Sequence, residues 1–399
     1  MKTLIELYDE RPIENVLASE VFRPERTVFL CPAEVAQDKT LQEKLRRYLT
    51  HRGLTGEAVF LESSLYRSDR ILRQLRRVVS EYEDCALDIT GGTDAALFAC
   101  GQFCAEADIP VFTYARRNGR FYNIHNAPFA DELPCTVSHC VEDCFLMTGG
   151  TMRTGRVDNA VLSRYLPQFE PFFRIFLRYR TRWNQIVKYF QLVSQDTLRQ
   201  PDALSIRAKC KVKTERGGSL SVCPDCLREL EAMGFLRELR IEKDSLSFSF
   251  ADAQIRTWLR DIGSVLELYV YKLCLDSGLF HDVRTSVVVD WEGGGARNNV
   301  TNEIDVMATR GVLPLFLSCK TCEVSTEALN ELAVLRDRFG GKGAKAAIVT
   351  AKNCGDLARH RASELEIDVI DLNDLKSGRA GAQIAAIMKP EPGRSAGKA

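Results

Sequence analysis

The chain has 399 residues, and this length makes two or three domains the usual expectation. Hydrophobic residues make up 45% of it and charged residues 27%, which allows a buried core and excludes a disordered polymer. Lys and Arg total 54, as do Asp and Glu, so the net charge gives no indication of nucleic-acid binding. A protein that binds nucleic acid nevertheless needs only a local basic surface.

The chain opens with MKTLIELYDERP, which acidic residues interrupt too early for an export signal. No apolar run reaches the length of a membrane span. The 14 cysteines are therefore expected to be reduced, and we expect a cytoplasmic protein that makes no use of a membrane. Cys223 and Cys226 have the spacing of a zinc knuckle, with Cys210 upstream, but no second pair completes four ligands. Two thiols at the start of a helix are the preferred interpretation.

The first 150 residues alternate between strand and helix patterns and are predicted to form one domain. Further along, a hairpin is predicted around Asn118-Gly119. Repeated strand-helix units indicate an α/β fold with a mostly parallel sheet covered by helices. The predicted strands are 27–31, 57–61, 86–89, 111–114 and 121–124, and the predicted helices are 39–51, 68–81 and 93–107.

Residues 151–255 are predicted to form a helical linker and a small module. Long helices rich in Arg, Phe and Tyr occupy 158–193. A helix over 227–233 then ends at Gly234, and strands follow at 236–239 and 246–250. A helix, a glycine stop and a strand pair favour a winged-helix-like module, with a simple spacer as an equal alternative. The region expected to read nucleic acid carries no obvious basic run.

Residues 256–388 are predicted to form a second α/β domain, followed by a disordered tail at 389–399 that is rich in Pro, Gly, Ser and Lys. The domain starts with one long helix. A glycine-rich tip, 292–295, joins its first two strands. The predicted helices are 256–275, 326–339 and 355–365, and the predicted strands are 285–290, 303–308, 313–319, 346–350 and 368–371.

Two of these strands and the long helix carry charged residues where a core is expected. Glu303 and Asp305 share one face of a strand, and Ser318 and Lys320 share one face of the next, because strand side chains alternate. Glu267 is embedded in an apolar stretch of the preceding helix, where a carboxylate without a partner is costly.

These residue types suit phosphodiester hydrolysis. Mg²⁺ and Mn²⁺ prefer carboxylate oxygens, water and phosphate oxygens as ligands. A bound cation neutralises the phosphate and lowers the pKa of water, and a nearby lysine offsets developing charge. We therefore predict catalytic roles for Glu267, Glu303, Asp305, Ser318 and Lys320, with the metal held by Glu267, Glu303 and Asp305.

A second candidate site follows the strand at 86–89, where Asp88-Ile-Thr-Gly-Gly-Thr-Asp94 opens a helix. Glycines allow close approach of the backbone to a phosphate, and free amides at a helix start favour an anion. The segment is neither a Walker loop nor a GxGxxG loop. From its chemistry alone, an anion site and a simple tight turn are equally expected.

These blocks together resemble one family. Helix-Glu, strand-Asp and x-x-Lys on the next strand resemble the PD-(D/E)XK nucleases. Asp88-Ile-Thr-Gly-Gly-Thr93 resembles the ligand loop of CARF domains, the Rossmann-like sensors associated with CRISPR. With 11–15, Asn302–Val306 and Ser318–Thr321, the order over residues 1–380 is similar to type III CRISPR ancillary effectors that fuse a CARF domain to a PD-(D/E)XK nuclease.

The resemblance implies a Rossmann-like CARF domain and a restriction-endonuclease-like α/β/α nuclease domain. It further implies a homodimer that binds a cyclic oligoadenylate, here cyclic tetra-adenylate, and then cuts DNA or RNA with Mn²⁺ or Mg²⁺. Two positions depart from the family pattern. Ser318 replaces the usual acid, and Asp94 replaces a basic or polar residue. Carried over by position, the ligand residues are Asn15, Cys31, Pro32, Ala33, Thr90, Gly91, Gly92 and Thr93.

Two rival hypotheses remain at this stage. The first is a non-catalytic regulator that responds to a ligand and binds nucleic acid through the winged-helix-like module, which Ser318 motivates. The second is a nucleotide-handling Rossmann enzyme outside CRISPR defence. Two Arg-x4-His spacings, Arg46 to His51 and Arg120 to His125, are interpreted as chance because both lie inside the first domain.

Overall fold

The computed structural model describes residues 1–116, 118–153, 159–195, 203–214, 217–291, 301–341 and 343–389. The predicted glycine-rich tip at 292–295 and the tail beyond 389 lie outside the described residues. Short 3-10 helices occupy Pro12–Asn15, Pro128–Ala130 and Leu166–Gln168. The strands are β1 (Thr3–Leu7), β2 (Arg26–Cys31), β3 (Glu57–Glu62), β4 (Cys85–Asp88), β5 (Val111–Ala115), β6 (Arg120–His125), β7 (Thr151–Arg153), β8 (Ser205–Lys209), β9 (Lys211–Lys213), β10 (Ser219–Ser221), β11 (Leu236–Ile241), β12 (Ser245–Phe250), β13 (Asp282–Asp290), β14 (Thr301–Arg310), β15 (Leu313–Lys320), β16 (Lys345–Thr350) and β17 (Ile367–Ile370).

Helices flank these strands throughout. None of the helices in the described part of the chain is long and apolar enough to span a membrane. The helices are α1 (Leu17–Phe22), α2 (Ala33–Gln37), α3 (Lys39–His51), α4 (Ser68–Glu81), α5 (Asp94–Cys104), α6 (Val141–Leu146), α7 (Asn159–Tyr165), α8 (Phe169–Tyr179), α9 (Trp183–Val193), α10 (Pro224–Ala232), α11 (Ala253–Arg260), α12 (Ser264–Asp276), α13 (Thr326–Phe339), α14 (Asp356–Glu364), α15 (Leu372–Lys376) and α16 (Ala380–Ile387).

The first sheet has the strand order β3-β2-β1-β4-β5-β6 and is parallel except for β6. The prediction that 27–31 is the first strand was wrong, because β1 precedes it at the centre of the sheet. Its sequence TLIEL is buried throughout, and the acidic Glu6 disguises a core strand. The strand order reverses between β1 and β4, and open α/β sheets bind ligands at the carboxyl ends of strands at such a switch point.

The middle unit contains the predicted helix and strand pair as α10, β11 and β12. A third strand, β8, which the sequence did not reveal, pairs antiparallel with β12 and gives a sheet of order β11-β12-β8. The strands β9 and β10 form a separate ribbon directly after β8. Helices α8 and α9 supply aromatic residues such as Phe172, Trp183 and Phe190 to the core of this unit.

The C-terminal sheet has the order β17-β16-β15-β14-β13-β7. Thr151–Arg153, which we had assigned to the linker, instead forms the edge strand β7 and pairs antiparallel with β13. The single helix predicted over 256–275 was also wrong. It divides into α11 and α12, because Asp261 accepts a hydrogen bond from the Ser264 amide at 2.7 Å and caps a new helix after Gly263.

The three parts share buried surfaces. One hydrophobic cluster runs from α8 and α9 through the middle unit to α12, β14 and β15, so the middle unit and the C-terminal sheet have a common core. Between the N-terminal and C-terminal sheets, the amide of His139 donates to the Gly311 carbonyl at 2.9 Å, and His281 Nε2 lies 2.9 Å from the His139 carbonyl. Val312, at the turn between β14 and β15, is buried in a cluster of the N-terminal domain.

Candidate functional site

Asp305 is held where β14 and β15 pair. Val306 pairs with Leu317 in the antiparallel ladder, which places Asp305 beside Ser318. The Oδ2 atom of Asp305 accepts hydrogen bonds from the Cys319 amide at 2.6 Å and from Ser318 Oγ at 3.2 Å. Lys320 Nζ lies 4.0 Å from the same oxygen. The predicted strand alternation is thus confirmed, and it gathers Asp305, Ser318 and Lys320 at one place.

Glu267 approaches the same place from the first turn of α12. This helix packs over β13, β14 and β15. Burial, and after it repulsion by Asp305, raises the pKa of Glu267 to about 9. Within the described part of the chain no hydrogen bond to its carboxylate is found, and the lowering effect of the nearby Lys320 on its pKa does not offset burial and repulsion. A Cβ on residue 263 would lie only 2.6 Å from Glu267 Oε1. The absence of a side chain at Gly263 therefore makes room for this carboxylate.

The acids around Lys320 outnumber the cations. Burial raises the pKa of Asp305 as well, against the lowering effects of the Cys319 amide and Lys320. Glu303 is exposed on the same face of β14 and contributes repulsion to both Glu267 and Asp305. Among the described residues, no three His, Cys, Asp or Glu side chains converge tightly enough to form a complete metal site by themselves.

The Gly-rich segment after β4 forms a turn at the switch point. Asp88 is buried and its Oδ1 accepts hydrogen bonds from the amide, at 2.7 Å, and the hydroxyl of Thr90. Thr90 Oγ1 in turn accepts from the Tyr114 amide at 2.8 Å. Thr93 is the N-cap of α5, accepts from the Ala96 amide and donates to the Leu65 carbonyl. The turn is therefore fixed from both ends.

The two glycines of this turn are required by its packing against the end of β1. A Cβ on Gly91 would lie 2.8 Å from the Leu7 carbonyl oxygen. Gly92 has a φ of +92°, and a Cβ there would lie 2.9 Å from Leu7 Cδ1. Gly91 is buried and Gly92 is half-buried, and neither glycine places a side chain between the backbone of the turn and a ligand, as phosphate-binding turns require.

The other predicted ligand residues differ in what they offer. Pro32 and Ala33 lie at the carboxyl end of β2, where Pro32 is the N-cap of α2. Cys31 is buried and donates through Sγ to the Leu61 carbonyl. Asn15 is buried too, and its amide bonds both the amide and the carbonyl of Asp9, so it shapes the loop after β1.

Several groups near the turn escaped the sequence reasoning because β1 was missed. Glu6 pairs in register with Asp88, is buried, and has no hydrogen-bond partner for either carboxylate oxygen in the described residues. Burial, and then repulsion by Asp88, raises its pKa well above the ordinary value. Arg116 forms an ion pair with buried Glu14 beside Thr90. The signal available in the sequence was a single acid, Glu6, inside the otherwise apolar stretch 4–8.

The remaining sequence candidates have structural partners. Cys223 is the N-cap of α10 and Cys226 lies in its first turn, as the preferred interpretation has it, and both are free thiols. His139 is buried and bonds Glu20 and Tyr48. His51 lies beside Asp143 at 3.3 Å, and Arg46 donates to the Ala58 carbonyl.

The C-terminal sheet, with carboxylates and a lysine on adjoining strands and a glutamate on the covering helix, has the composition of a nuclease site. Residues 256–380 match the Card1-like endonuclease domain family. The match confirms the expectation of an endonuclease. No functionally curated protein matches the chain.

Two solved structures share the fold over nearly the whole chain. Protein VC1899 from Vibrio cholerae is 15% identical with a TM-score of 0.72, covering 96% of this chain and 97% of its own. Can2 from Sulfobacillus thermosulfidooxidans, solved in complex with cyclic tetra-adenylate, is 16% identical with a TM-score of 0.69, covering 97% of both chains. These similarities confirm the predicted α/β architecture of a Rossmann-like domain joined to a nuclease domain.

Proposed function

We propose that this protein is a cyclic oligoadenylate-activated, metal-dependent endonuclease that cleaves DNA or RNA in type III CRISPR antiviral defence, with cyclic tetra-adenylate as activator. The observation that carries the proposal is the convergence of Glu267, Asp305 and Lys320 inside a Card1-like endonuclease domain. A Gly-rich anion turn at the switch point of a second domain supports the ligand-controlled part. The free thiols of all the cysteines fit a reducing cytoplasm.

The donor set fits Mg²⁺ or Mn²⁺. Burial raises the pKa of both Glu267 and Asp305, Asp305 adds repulsion to Glu267, and Lys320 lowers both values; a divalent cation relieves such an arrangement. Such ions are commonly bound through one or two carboxylates, with water and substrate phosphate as the other ligands. Glu267 and Asp305 would hold the ion, with Glu303 at the margin. When bound, the ion neutralises the phosphate and lowers the pKa of an attacking water.

The chain's own groups then have separate tasks. The Cys319 amide and Ser318 hydroxyl fix the orientation of Asp305, which leaves its other oxygen available. The Lys320 ammonium, half-exposed beside Asp305, is placed to orient water and to stabilise negative charge on the phosphate. Ser318 thus supports Asp305 through a hydrogen bond where the family pattern has an acid.

The anion turn offers backbone amides and no competing side chain. Thr90, Gly91, Gly92 and Thr93 lie at the carboxyl ends of the central strands, next to Pro32 and Ala33. An anion is favoured there by the free amides that open α5. Can2, which has the same fold, was solved with cyclic tetra-adenylate bound. We propose the same class of ligand at this turn.

An apolar patch beside the turn suits a second copy of the chain. Tyr66 is 79% exposed and Phe98 is 64% exposed, with Leu97 next to it on α5. Leu65, the neighbour of Tyr66, accepts the hydrogen bond from Thr93, which ties this patch to the turn. Gly101 on the same helix would meet nothing within 4 Å if it carried a Cβ. A two-fold interface here would place two turns around one cyclic ligand.

The experiment combines purified protein, labelled single-stranded DNA or RNA, Mn²⁺ and cyclic oligoadenylates of different ring sizes. Cleavage that requires both the metal and cyclic tetra-adenylate is the expected result. Ligand-dependent shifts of promoter DNA without cleavage would instead establish the non-catalytic regulator. Helix α10, which would read DNA in that case, carries Asp225, Glu229 and Glu231 against Arg228, and this charge disfavours it.

A further inference from the structure

A row of cations follows the edge strand of the middle unit. Arg207, Lys209, Lys211 and Lys213 alternate with Ile206, Ala208, Cys210 and Val212 along β8 and β9, the cations being exposed and the other residues buried or half-buried. Because side chains alternate along a strand, Arg207 and Lys209 share one face of β8, and Lys211 and Lys213 share one face of β9.

Each cation of this row lies opposite a serine on the neighbouring strand. Arg207 pairs with Ser247 and Lys209 with Ser245 in the ladder of β8 and β12. In the ribbon of β9 and β10, Lys211 pairs with Ser221 and Lys213 with Ser219. The order continues across the sheet, where Arg240 lies opposite Ser247. The face is thus built from positive charges and hydroxyl groups.

None of the four cations forms an ion pair or a side-chain hydrogen bond within the part of the chain that the structure describes. Many other exposed arginines are paired, as Arg76 is with Glu106 and Arg178 with Glu229. Two acids, Glu242 and Asp244, lie in the turn between β11 and β12, where Glu242 accepts the hydroxyl of Ser245. The Cys210 amide donates to the Asp244 carbonyl, so this turn lies beside the middle of the row, where the four cations outnumber the two acids.

Phosphates are the partner that this pattern fits. A strand advances about 3.3 Å per residue, so β8 and β9 each present two cations roughly 6.6 Å apart. A nucleic acid strand carries one phosphate per about 3.4 Å of duplex axis, so each interval meets at least one negative charge. Lysine, arginine and serine are common phosphate contacts, and such contacts position a strand without reading its sequence.

We propose that the face formed by Arg207, Lys209, Lys211, Lys213 and their partner serines, here called the basic track, binds the sugar-phosphate backbone of the nucleic acid substrate. This inference rests on the proposed nuclease function for the identity of the substrate. The track carries no aromatic side chain for base stacking, so it binds independently of sequence. Its sheet shares one hydrophobic core with α12, β14 and β15, which fixes the track relative to the endonuclease domain.

The test measures binding of labelled oligo-dT and oligo-rU of equal length by fluorescence anisotropy over a range of salt concentrations. A Lys320→Ala background prevents cleavage during the measurement. The triple variant Lys209→Gln, Lys211→Gln, Lys213→Gln is expected to flatten the slope of log K against log salt by about 2 and to weaken binding at low salt roughly tenfold or more, because each lost phosphate contact of a single strand contributes about 0.7 to the slope. The DNA and RNA arms show which backbone is held.

Two controls keep the result specific. The first control is a triple variant that removes three positive charges from exposed positions on α3 and α4: Lys39→Gln, Arg47→Gln, Arg73→Gln. It is expected to bind as the parent does. The second control is a triple variant that keeps the positive charges of the track and is expected to retain binding: Lys209→Arg, Lys211→Arg, Lys213→Arg. An unchanged slope in the triple glutamine variant, or an equal loss in the α3 and α4 variant, overturns the basic track.

Failure of the track and failure of the proposed function are distinguishable. Loss of binding in the glutamine variant supports the track even where the wild-type protein does not cleave with cyclic tetra-adenylate and Mn²⁺. Ligand-dependent cleavage together with an unchanged salt slope supports the nuclease and overturns the track.

Discussion

Val312, from the turn between β14 and β15, is buried in the same hydrophobic cluster as Tyr114 of the N-terminal domain. Both residues line a small cavity that Thr90 also borders. The Tyr114 amide donates to Thr90 Oγ1, while β14 and β15 carry Asp305 and Lys320. A path of packed residues therefore connects the turn at Thr90 with the strands that carry Asp305 and Lys320, and we propose that a change at the turn reaches the proposed nuclease groups through it.

The first prediction removes the packing of this path. Val312→Ala is expected to reduce the ratio of ligand-stimulated to basal cleavage roughly fivefold, which corresponds to about 1 kcal/mol of coupling. For binding, the coupling free energy is reciprocal, so the gain in ligand affinity that bound nucleic acid provides should also become smaller in this variant. Cleavage rates with and without cyclic tetra-adenylate and a calorimetric titration check both quantities. Val334→Ala, at a half-exposed position on α13, is the matched control; an unaltered ratio in Val312→Ala contradicts the path.

The second prediction concerns the nuclease groups. Lys320→Ala and Asp305→Ala are each expected to lower the cleavage rate at least about a hundredfold, as loss of a charge-stabilising group does. Ligand binding should remain as in the wild type, because the anion turn lies on another sheet. Ser318→Ala should cost less than about tenfold, since the Cys319 amide still holds Asp305. Wild-type rates in both Lys320→Ala and Asp305→Ala would show that the site is elsewhere.

Features of this site that depend on neighbouring residues could be predicted from the sequence, whereas features that depend on distant residues could not. Alternation along a strand is local, so the shared face of Glu303 and Asp305 and that of Ser318 and Lys320 could be predicted. The contact of Asp305 with the Cys319 amide depends on the register between two strands, and the sequence alone does not state a register. The approach of Glu267 depends on the break at Gly263, which one long periodic helix concealed.

The N-terminal domain shows the opposite difficulty. Helices α3 and α4 were predicted with the observed boundaries because their apolar residues recur at helical spacing. The central strand β1 was missed because Glu6 interrupts its apolar character. Similarly, the search for a contiguous basic run missed the basic track, in which Arg207 and the three lysines are separated by inward residues. Cations at every second position form one charged surface only if the segment is a strand, so the pattern is recognised only when the strand is known.

The third prediction is a pH dependence of metal use. The carboxyl of Glu267 has a pKa raised to about 9 in the metal-free protein, so protons compete with the metal below that pH. The concentration of Mn²⁺ needed for half-maximal cleavage should fall as pH rises towards about 9. Chelation with EDTA should abolish cleavage, and excess Mn²⁺ should restore it. A metal requirement that does not change with pH would remove Glu267 from the metal site.

The fourth prediction concerns assembly. Phe98→Glu places a charge in the exposed apolar patch with Tyr66 and Leu97, and a buried unpaired charge at an interface is strongly unfavourable. The variant is expected to elute as a monomer in size-exclusion chromatography with light scattering, and to bind cyclic tetra-adenylate at least about tenfold more weakly. Leu357→Glu is the control, because Leu357 is 85% exposed on α14 and belongs to a different domain. A monomeric wild type, or a dimeric Phe98→Glu variant, would contradict this interface.

The fifth prediction separates two properties of Asp88: it accepts two hydrogen bonds from Thr90, and it is a buried carboxyl that can ionise. Burial raises its pKa to about 7, partly offset by its bonds with Thr90. A carboxyl whose pKa is higher in the folded than in the unfolded protein keeps its proton longer in the folded state. The free energy of unfolding therefore falls as the pH rises from about 4, the unfolded value, to about 7, the folded value. Asp88→Asn keeps an oxygen that can accept both bonds from Thr90 but cannot ionise. The free energy of unfolding of the variant, relative to that of the wild type, should therefore rise by about 3 kcal/mol between about pH 5 and pH 8.

Urea denaturation at the two pH values measures this difference, and comparison with the wild type cancels the shared titrating groups other than Glu6, whose pKa Asp88 also raises. Asp94→Asn, which removes an exposed carboxylate at the start of α5, should track the wild type at both pH values. If Asp88→Asn and the wild type show the same pH dependence, then Asp88 is ionised at no cost in the folded protein. The turn would in that case be held by a charged acceptor, whose repulsion an anionic ligand must overcome.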